Sequence, residues 1–189
     1  MSPFEAACAA VDRANAEDPQ GREVPYSHRM VDWVRSLSPS ASEELLLAAR
    51  AQHLRRWTVA RSTYPEGRNG YLHWREDLKK FHAEELGAIM KGAGYPEASV
   101  AKARSLLVRK NLSADAEGQT LEDAACLVFL QFEFAEFAAK TEPGKMVEIL
   151  RKSWGKMSSA AREKALQLPY APELLALVKR ALENPGAPR

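Results

Sequence analysis

The stretch from Gln119 to Lys140 reads QTLEDAACLVFLQFEFAEFAAK, and its apolar side chains nearly encircle a helix of 3.6 residues per turn. Such a helix has to be covered by other elements, which predicts a bundle with this segment as its central helix. Only helices are on offer to cover it. Ala, Leu, Glu, Lys and Arg dominate the chain, and no run of alternating β-branched residues occurs. The expected fold is therefore all-α: one multi-helix bundle over residues 1–140, with a C-terminal helical extension over 141–189 packed on the same domain. A chain of 189 residues fits that size.

Local signals set the expected boundaries. Ser2-Pro3-Phe4-Glu5 supplies a cap, a proline at the first helical position and a capping-box acid, for a helix reaching Asn15. Asp18 to Pro25 reads as loop, and Ser27 to Ser36 as a second helix. Ser40-Ala41-Ser42-Glu43 is another capping box, predicting a helix through Trp57. Thr58 to Asn69 reads as the longest loop, followed by a long helix from Gly70 to Lys91 that stops at Gly92-Ala93-Gly94. A helix from Tyr95-Pro96-Glu97 to Lys110 and a polar loop from Asn111 to Gly118 lead into the apolar segment. Three amphipathic pieces follow: Pro143 to Trp154, Ser158 to Gln167 and Pro172 to Glu183. They cover the core, form a homodimer contact, or both.

Composition narrows the function classes. Formal net charge is +2, which disfavours an extended basic surface for nonspecific nucleic-acid binding. No apolar run reaches the length of a membrane span, and the N-terminus lacks the pattern of a secretory signal. Cys8 and Cys126 sit in apolar helical contexts without CxxC spacing and read as reduced thiols of a cytoplasmic protein.

Against that near-neutral background the stretch from His53 to His82 stands out. It carries Arg55, Arg56, Arg61, Arg68, Arg75, Lys79 and Lys80, interleaved with Trp57, Tyr64, Tyr71, Trp74 and Phe81. Guanidinium forks suit phosphate or carboxylate, and rings suit flat groups. Tyr71, Arg75, Lys79 and His82 recur every three or four residues, as one helical stripe. Asp123 shares a face with Cys126, Leu127, Leu130 and Phe134; His53 with Leu46, Ala49 and Trp57; His82 with Leu78, Leu86 and Ile89; His28 stands one turn before Val31. Three histidines and an aspartate are thus expected to face the interior, with His73 on a solvated face. Hydrogen-bonded core residues and a shared site explain this about equally well.

The order of these residues resembles the HD-domain superfamily of metal-dependent phosphohydrolases. His28-Arg29-Met30-Val31 looks like its first histidine helix, and the apolar run from Glu44 to His53 like the approach to its His-Asp doublet. Phe81-His82-Ala83-Glu84-Glu85-Leu86-Gly87, Gly94-Tyr95-Pro96-Glu97 and Leu121-Glu122-Asp123-Ala124 resemble its later segments. The stretch from His53 to His82, together with LEDAACLVFL, also resembles a narrower group, the domain-of-unknown-function family 4202. One residue departs from the superfamily pattern: Leu54 stands where the doublet's aspartate belongs.

The resemblance implies an HD-like bundle in which His28, His53 and Asp123 hold a divalent metal (manganese, iron, zinc or magnesium), or none if Leu54 marks its loss. It implies a phosphohydrolase in which His82, Arg75 and Lys79 are catalytic, while Arg56, Arg61, Tyr64, Arg68, Tyr71 and Trp74 bind the substrate. The ligand would be a phosphate-containing small molecule such as a nucleotide, or a nucleic-acid end. Two rivals remain: a non-catalytic module binding a nucleotide, RNA or tRNA, and a helical interaction scaffold.

Overall fold

The computed structural model describes residues 1–108 and 115–183, and those residues form ten α-helices and no strand. The all-α expectation holds. The chain divides into two compact units, Met1–Leu112 and Ser113–Arg189, so the division falls at residue 112 and groups the apolar segment with the C-terminal helices. No helix among the described residues is long and apolar enough to cross a membrane.

The first unit contains α1 (Pro3–Asn15), α2 (Glu23–Leu37), α3 (Glu43–Arg50), two short 3-10 turns (Arg56–Thr58 and Arg61–Thr63), α4 (Gly67–Gly92) and α5 (Glu97–Val108). The capping box of Ser2 and Glu5 forms as expected at α1, and Ser42 caps α3. α3 packs on α2 and α5, and α4 on α5 and α1. Met30, Leu45, Leu47, Leu54, Leu86 and Met90 are completely buried between them. Each such side chain contributes roughly 1.5–3 kcal/mol through removal from water.

α4 begins at Gly67, three residues before the expected Gly70, and three further boundaries differ from the sequence expectation. α2 begins at Glu23 because Pro25 falls in its first turn, where a missing N–H costs nothing. α3 ends at Arg50, seven residues before the expected end at Trp57. The chain leaves the helix through Arg55, which adopts a left-handed conformation with φ 53° and donates its N–H to Asn15 Oδ1 on α1. α6 begins at Ala116, within the expected polar loop; 111–114 of that loop lie outside the described residues, as do 109 and 110 of the expected fifth helix.

The second unit contains α6 (Ala116–Val128), a π-helical turn (Phe129–Glu133), α7 (Phe134–Ala139), α8 (Pro143–Lys156), α9 (Ser159–Leu166) and α10 (Pro172–Glu183). Leu121, Leu127, Phe134 and Met146 are its fully buried large side chains. The apolar segment is therefore two helices joined by a widened turn. The last three helices match their predicted spans closely.

Candidate anion-binding site

Glu23 occupies the first position of α2. The Asp18 carboxylate precedes it and accepts the backbone N–H groups of Gln20, Arg22 and Glu23, which fixes where the helix starts. One turn later Tyr26 lies flat on the His53 imidazole, with ring centroids 3.8 Å apart and planes 4° from parallel. Glu23 Oε2 is 3.2 Å from His53 Nδ1. An Arg56 guanidinium nitrogen lies 2.7 Å from His53 Nε2. The same Arg56 nitrogen is 3.5 Å from His53 Nδ1, so the guanidinium lies over the imidazole face.

Arg56 also lies over the Trp74 ring, 5.0 Å from its centroid. Trp74 is almost buried and donates its indole N–H to Val59 O at 2.9 Å. Arg75, one residue along α4, rests over the exposed Tyr71 ring at 5.9 Å, and the Tyr71 and Trp74 rings are themselves 5.9 Å apart. Among the described residues neither Arg56 nor Arg75 has a carboxylate at ion-pair distance. Two guanidinium groups thus rest on neighbouring rings beside a histidine.

The electrostatics follow from this. Burial, then the Arg56 and Arg75 charges, hold the His53 imidazole well below its usual pKa. Burial pushes the Glu23 carboxyl up to about 7, with Arg56 opposing. Near neutral pH Glu23 is divided between its two forms, so it does not force a proton onto the imidazole. His82 lies behind, 4% exposed, and donates Nδ1–H to Leu54 O at 2.8 Å. Burial and the neighbouring His53 press its pKa down to about 3, so it stays neutral. Its contact ties α4 to the turn that carries His53.

The expected stripe on α4 takes a different form. The residues buried along this helix step by four: Gly70, Trp74, Leu78, His82, Leu86 and Met90. Steps of four drift about 40° per turn around a helix of 3.6 residues per turn. The buried line therefore winds from Trp74 to His82, leaving Tyr71 and Arg75 exposed, while Lys79 pairs with Glu76 at 3.1 Å. His73 is exposed, as expected.

Other expected site residues are committed elsewhere. Arg61 donates to the carbonyls of Tyr64, Pro65 and Gly67 and staples its own loop. The Tyr64 hydroxyl donates to Asp77 at 3.1 Å, and Arg68 is exposed at the start of α4. Beneath the staple, Gly70 fits because it has no side chain: a Cβ there would overlap the carbonyl of Pro65.

Each of the three residues expected to bind a metal has contacts to other groups of the chain. His28 is half-exposed, contrary to expectation, because the buried line of α2 runs through Ser27, Met30, Val31 and Val34. Its Nε2 lies 2.9 Å from Arg50 and 3.4 Å from Asp12. His53 Nε2 is engaged by Arg56. Asp123 is buried as expected, but its oxygens accept from Ser158 N, Ser158 Oγ and Gln119 Nε2, holding the N-terminus of α9. Among the described residues no group of three or more His, Cys, Asp or Glu side chains could hold a metal ion. The Leu54 side chain is completely buried, in the core of the first unit.

Sequence reasoning missed Glu23 and Tyr26. Pro25 in a first helical turn was the available signal, since it carries the helix back far enough to include both.

A family model matches residues 5–178, nearly the whole chain, and its description is Domain of unknown function (DUF4202). The chain belongs to that family. No curated protein and no solved structure matches it. Within this DUF4202 chain, the cluster of Glu23, Tyr26, His53, Arg56, Trp74 and Arg75 combines a half-buried imidazole with two arginines that lack carboxylate partners among the described residues. That arrangement presents guanidinium donors of the kind that suit an oxyanion.

Proposed function

We propose that the first unit binds the phosphate group of a phosphate ester between Arg56 and Arg75, and that Glu23 and His53 give the site acid–base capacity for its hydrolysis. The observation that carries this reading is Arg56. A guanidinium that is partly buried, stacked on a tryptophan and without a carboxylate partner spends its charge on a neutral imidazole. An oxyanion offers a better acceptor in the same place. In hydrolysis a water would pass a proton to His53 Nε2 as its oxygen bonds to phosphorus; the P–O ester bond would break and the leaving oxygen would take the proton back. No step is assigned to a metal ion. Kinship with the HD superfamily is the finer form of this reading. It is supported only by the order of His28, His53, His82 and Asp123, and the present chemistry does not depend on it.

A second reading, a non-catalytic phosphate-binding module, is favoured by one observation: burial and the Arg56 and Arg75 charges hold the His53 imidazole well below its usual pKa, which makes it a weak base. The free thiols of Cys8 and Cys126 suit a reducing compartment under either reading, and we place the protein in the cytoplasm.

The test is calorimetric titration with inorganic phosphate, followed by turnover of a phosphate-monoester panel. Binding that is lost in Arg56→Ala and weakened in Arg75→Ala is expected. Turnover lost in His53→Gln with binding retained supports the hydrolase. Binding without turnover of any ester supports the module, and no binding of phosphate removes both.

A further inference from the structure

The first turns of α4 carry a surface that extends beyond the proposed phosphate site. Arg68, Tyr71, Leu72 and Arg75 stand at i, i+3, i+4 and i+7, which puts them on one face of the helix. All four are exposed, and Tyr71 and Leu72 each keep 44% of their surface open to water. Among the described residues neither arginine has a carboxylate at ion-pair distance, whereas Lys79 and Lys80 farther along the same helix are paired with Glu76 and Asp77. Arg68 gains nothing from the helix itself. It is the second residue of α4, where a cation opposes the helix dipole, and the first turn holds no acidic residue to offset it. The backbones of Arg68 and Arg75 are roughly 10 Å apart along the axis, about the reach of three residues of extended peptide. Two cations so placed, with a leucine between them, match a ligand that carries two anionic groups separated by an apolar one.

Resting on the phosphate-site reading above, we infer that the phosphate ester is carried on a polypeptide: an extended, acidic, phosphorylated segment of a partner protein. Its phosphate lies at Arg56 and Arg75, an apolar side chain covers Leu72, and a carboxylate pairs with Arg68. A small monoester occupies the phosphate site and leaves Arg68 and Leu72 in water. Nucleic acid fits less well, because single strands gain much of their affinity by stacking bases on open aromatic faces. The Tyr71 ring has the Arg75 guanidinium over it, and Trp74 is nearly buried with Arg56 over it. Leu72 offers an aliphatic surface that an apolar residue covers and a sugar–phosphate backbone does not. The chain as a whole carries only +2, too little for a general polyanion surface. Tyrosine and arginine are also the residue types concentrated where proteins meet each other.

The test is fluorescence anisotropy of the full chain with short labelled peptides, alongside inorganic phosphate as competitor. Two peptides hold phosphoserine, leucine and a run of glutamates, in that order and in reverse; the tighter binder is the reference. A second version has glutamine for every glutamate, and a third has unphosphorylated serine. The reference should bind more tightly than inorganic phosphate and than the glutamine version. Arg68→Gln should lower its affinity about two- to fivefold, the range of an exposed ion pair, and leave the glutamine version and inorganic phosphate unchanged. Leu72→Gln should weaken both phosphopeptides and spare inorganic phosphate. Lys80→Gln, off the stripe and paired with Asp77, should change nothing. If Arg68→Gln and Leu72→Gln leave the reference at wild-type affinity while phosphate still binds through Arg56, the peptide surface is wrong and the phosphate site stands. If the unphosphorylated peptide binds as tightly as the reference and depends on Arg68, the acidic-peptide surface stands and the phosphate site falls. An equal loss in Lys80→Gln and Arg68→Gln would mean diffuse charge and overturn the proposal. So would a single-stranded oligonucleotide of matched charge that binds more tightly than the reference and is weakened by Arg68→Gln, since the partner would then be nucleic acid.

Discussion

His82 and Glu23 pull the stability of the first unit in opposite directions as pH changes. The folded state lowers the His82 pKa from 6.5 to about 3, so between those values the unfolded chain binds the extra proton. Its contribution is complete above pH 6.5 and is lost as pH falls towards 3. Glu23 is raised from 4.5 to about 7, so the folded state binds the extra proton between those values, and its contribution is lost as pH rises through 7. His53 is shifted in the same direction as His82, so the histidines prevail on the acid side. Urea midpoints should fall as pH is lowered from 6.5, and His82→Asn, which keeps a donor near Leu54 O but does not titrate, should flatten that limb. An unchanged limb would remove His82 from the account. Leu54 gives a second prediction at this scale. Leu54→Asp would write the His-Asp doublet back into the sequence, yet it places a carboxylate at a completely buried apolar position. A loss of about 3–5 kcal/mol in urea denaturation is expected, and a stable variant that gains a stoichiometric metal would contradict this placement of Leu54.

Between the residue and the whole molecule lie the elements, and two of them hang on single polar contacts. Asp123 holds the start of α9 by accepting from both the backbone and the hydroxyl of Ser158. Asp123→Ala should therefore cost about 3 kcal/mol, read by chemical denaturation with metal-free buffers. A loss that appears only when metal is supplied to the wild type would restore the ligand role instead. Gly70→Ala should drive the Pro65 turn off α4 and lower the melting temperature by several degrees, since the side chain meets backbone and cannot be relieved by a rotamer change. Legibility in the sequence follows the same distinction. Caps and amphipathic spacing are local, so α1 and α8 to α10 could be read within a few residues. The end of α3 could not, because it depends on Arg55 adopting a left-handed conformation against Asn15, a partner 40 positions away. The buried line of α4 was half legible: its residues were visible, but its drift past Tyr71 and Arg75 depends on what packs beside it. Arg61 looked like a ligand contact because sequence records charge and not the carbonyls that consume it.

The whole molecule is close to neutral, and its concentration of cations over 53–82 is less available than a count suggests. Arg61 is spent on its loop, Arg55 on Glu17 and Glu85, and Lys79 and Lys80 on acidic neighbours along α4, which leaves Arg56, Arg75 and Arg68 as the charges open to a ligand. Binding to random RNA should therefore be weak at physiological salt and should show a shallow salt slope, measured by filter binding across a salt series. A steep slope, as from six or more phosphate contacts, would point to an extended nucleic-acid surface instead. The fit of Gly70 beneath Pro65 bears on speed. A turn and helix that close, with three carbonyls stapled by Arg61, are expected to move as one piece, so the parts left free to respond to a ligand are the side chains of Arg56, Arg68 and Arg75. Side-chain rotations take picoseconds to nanoseconds where lids take microseconds to milliseconds. Oxyanion capture should then follow a single exponential whose rate rises linearly with concentration and never reaches a plateau set by an opening step.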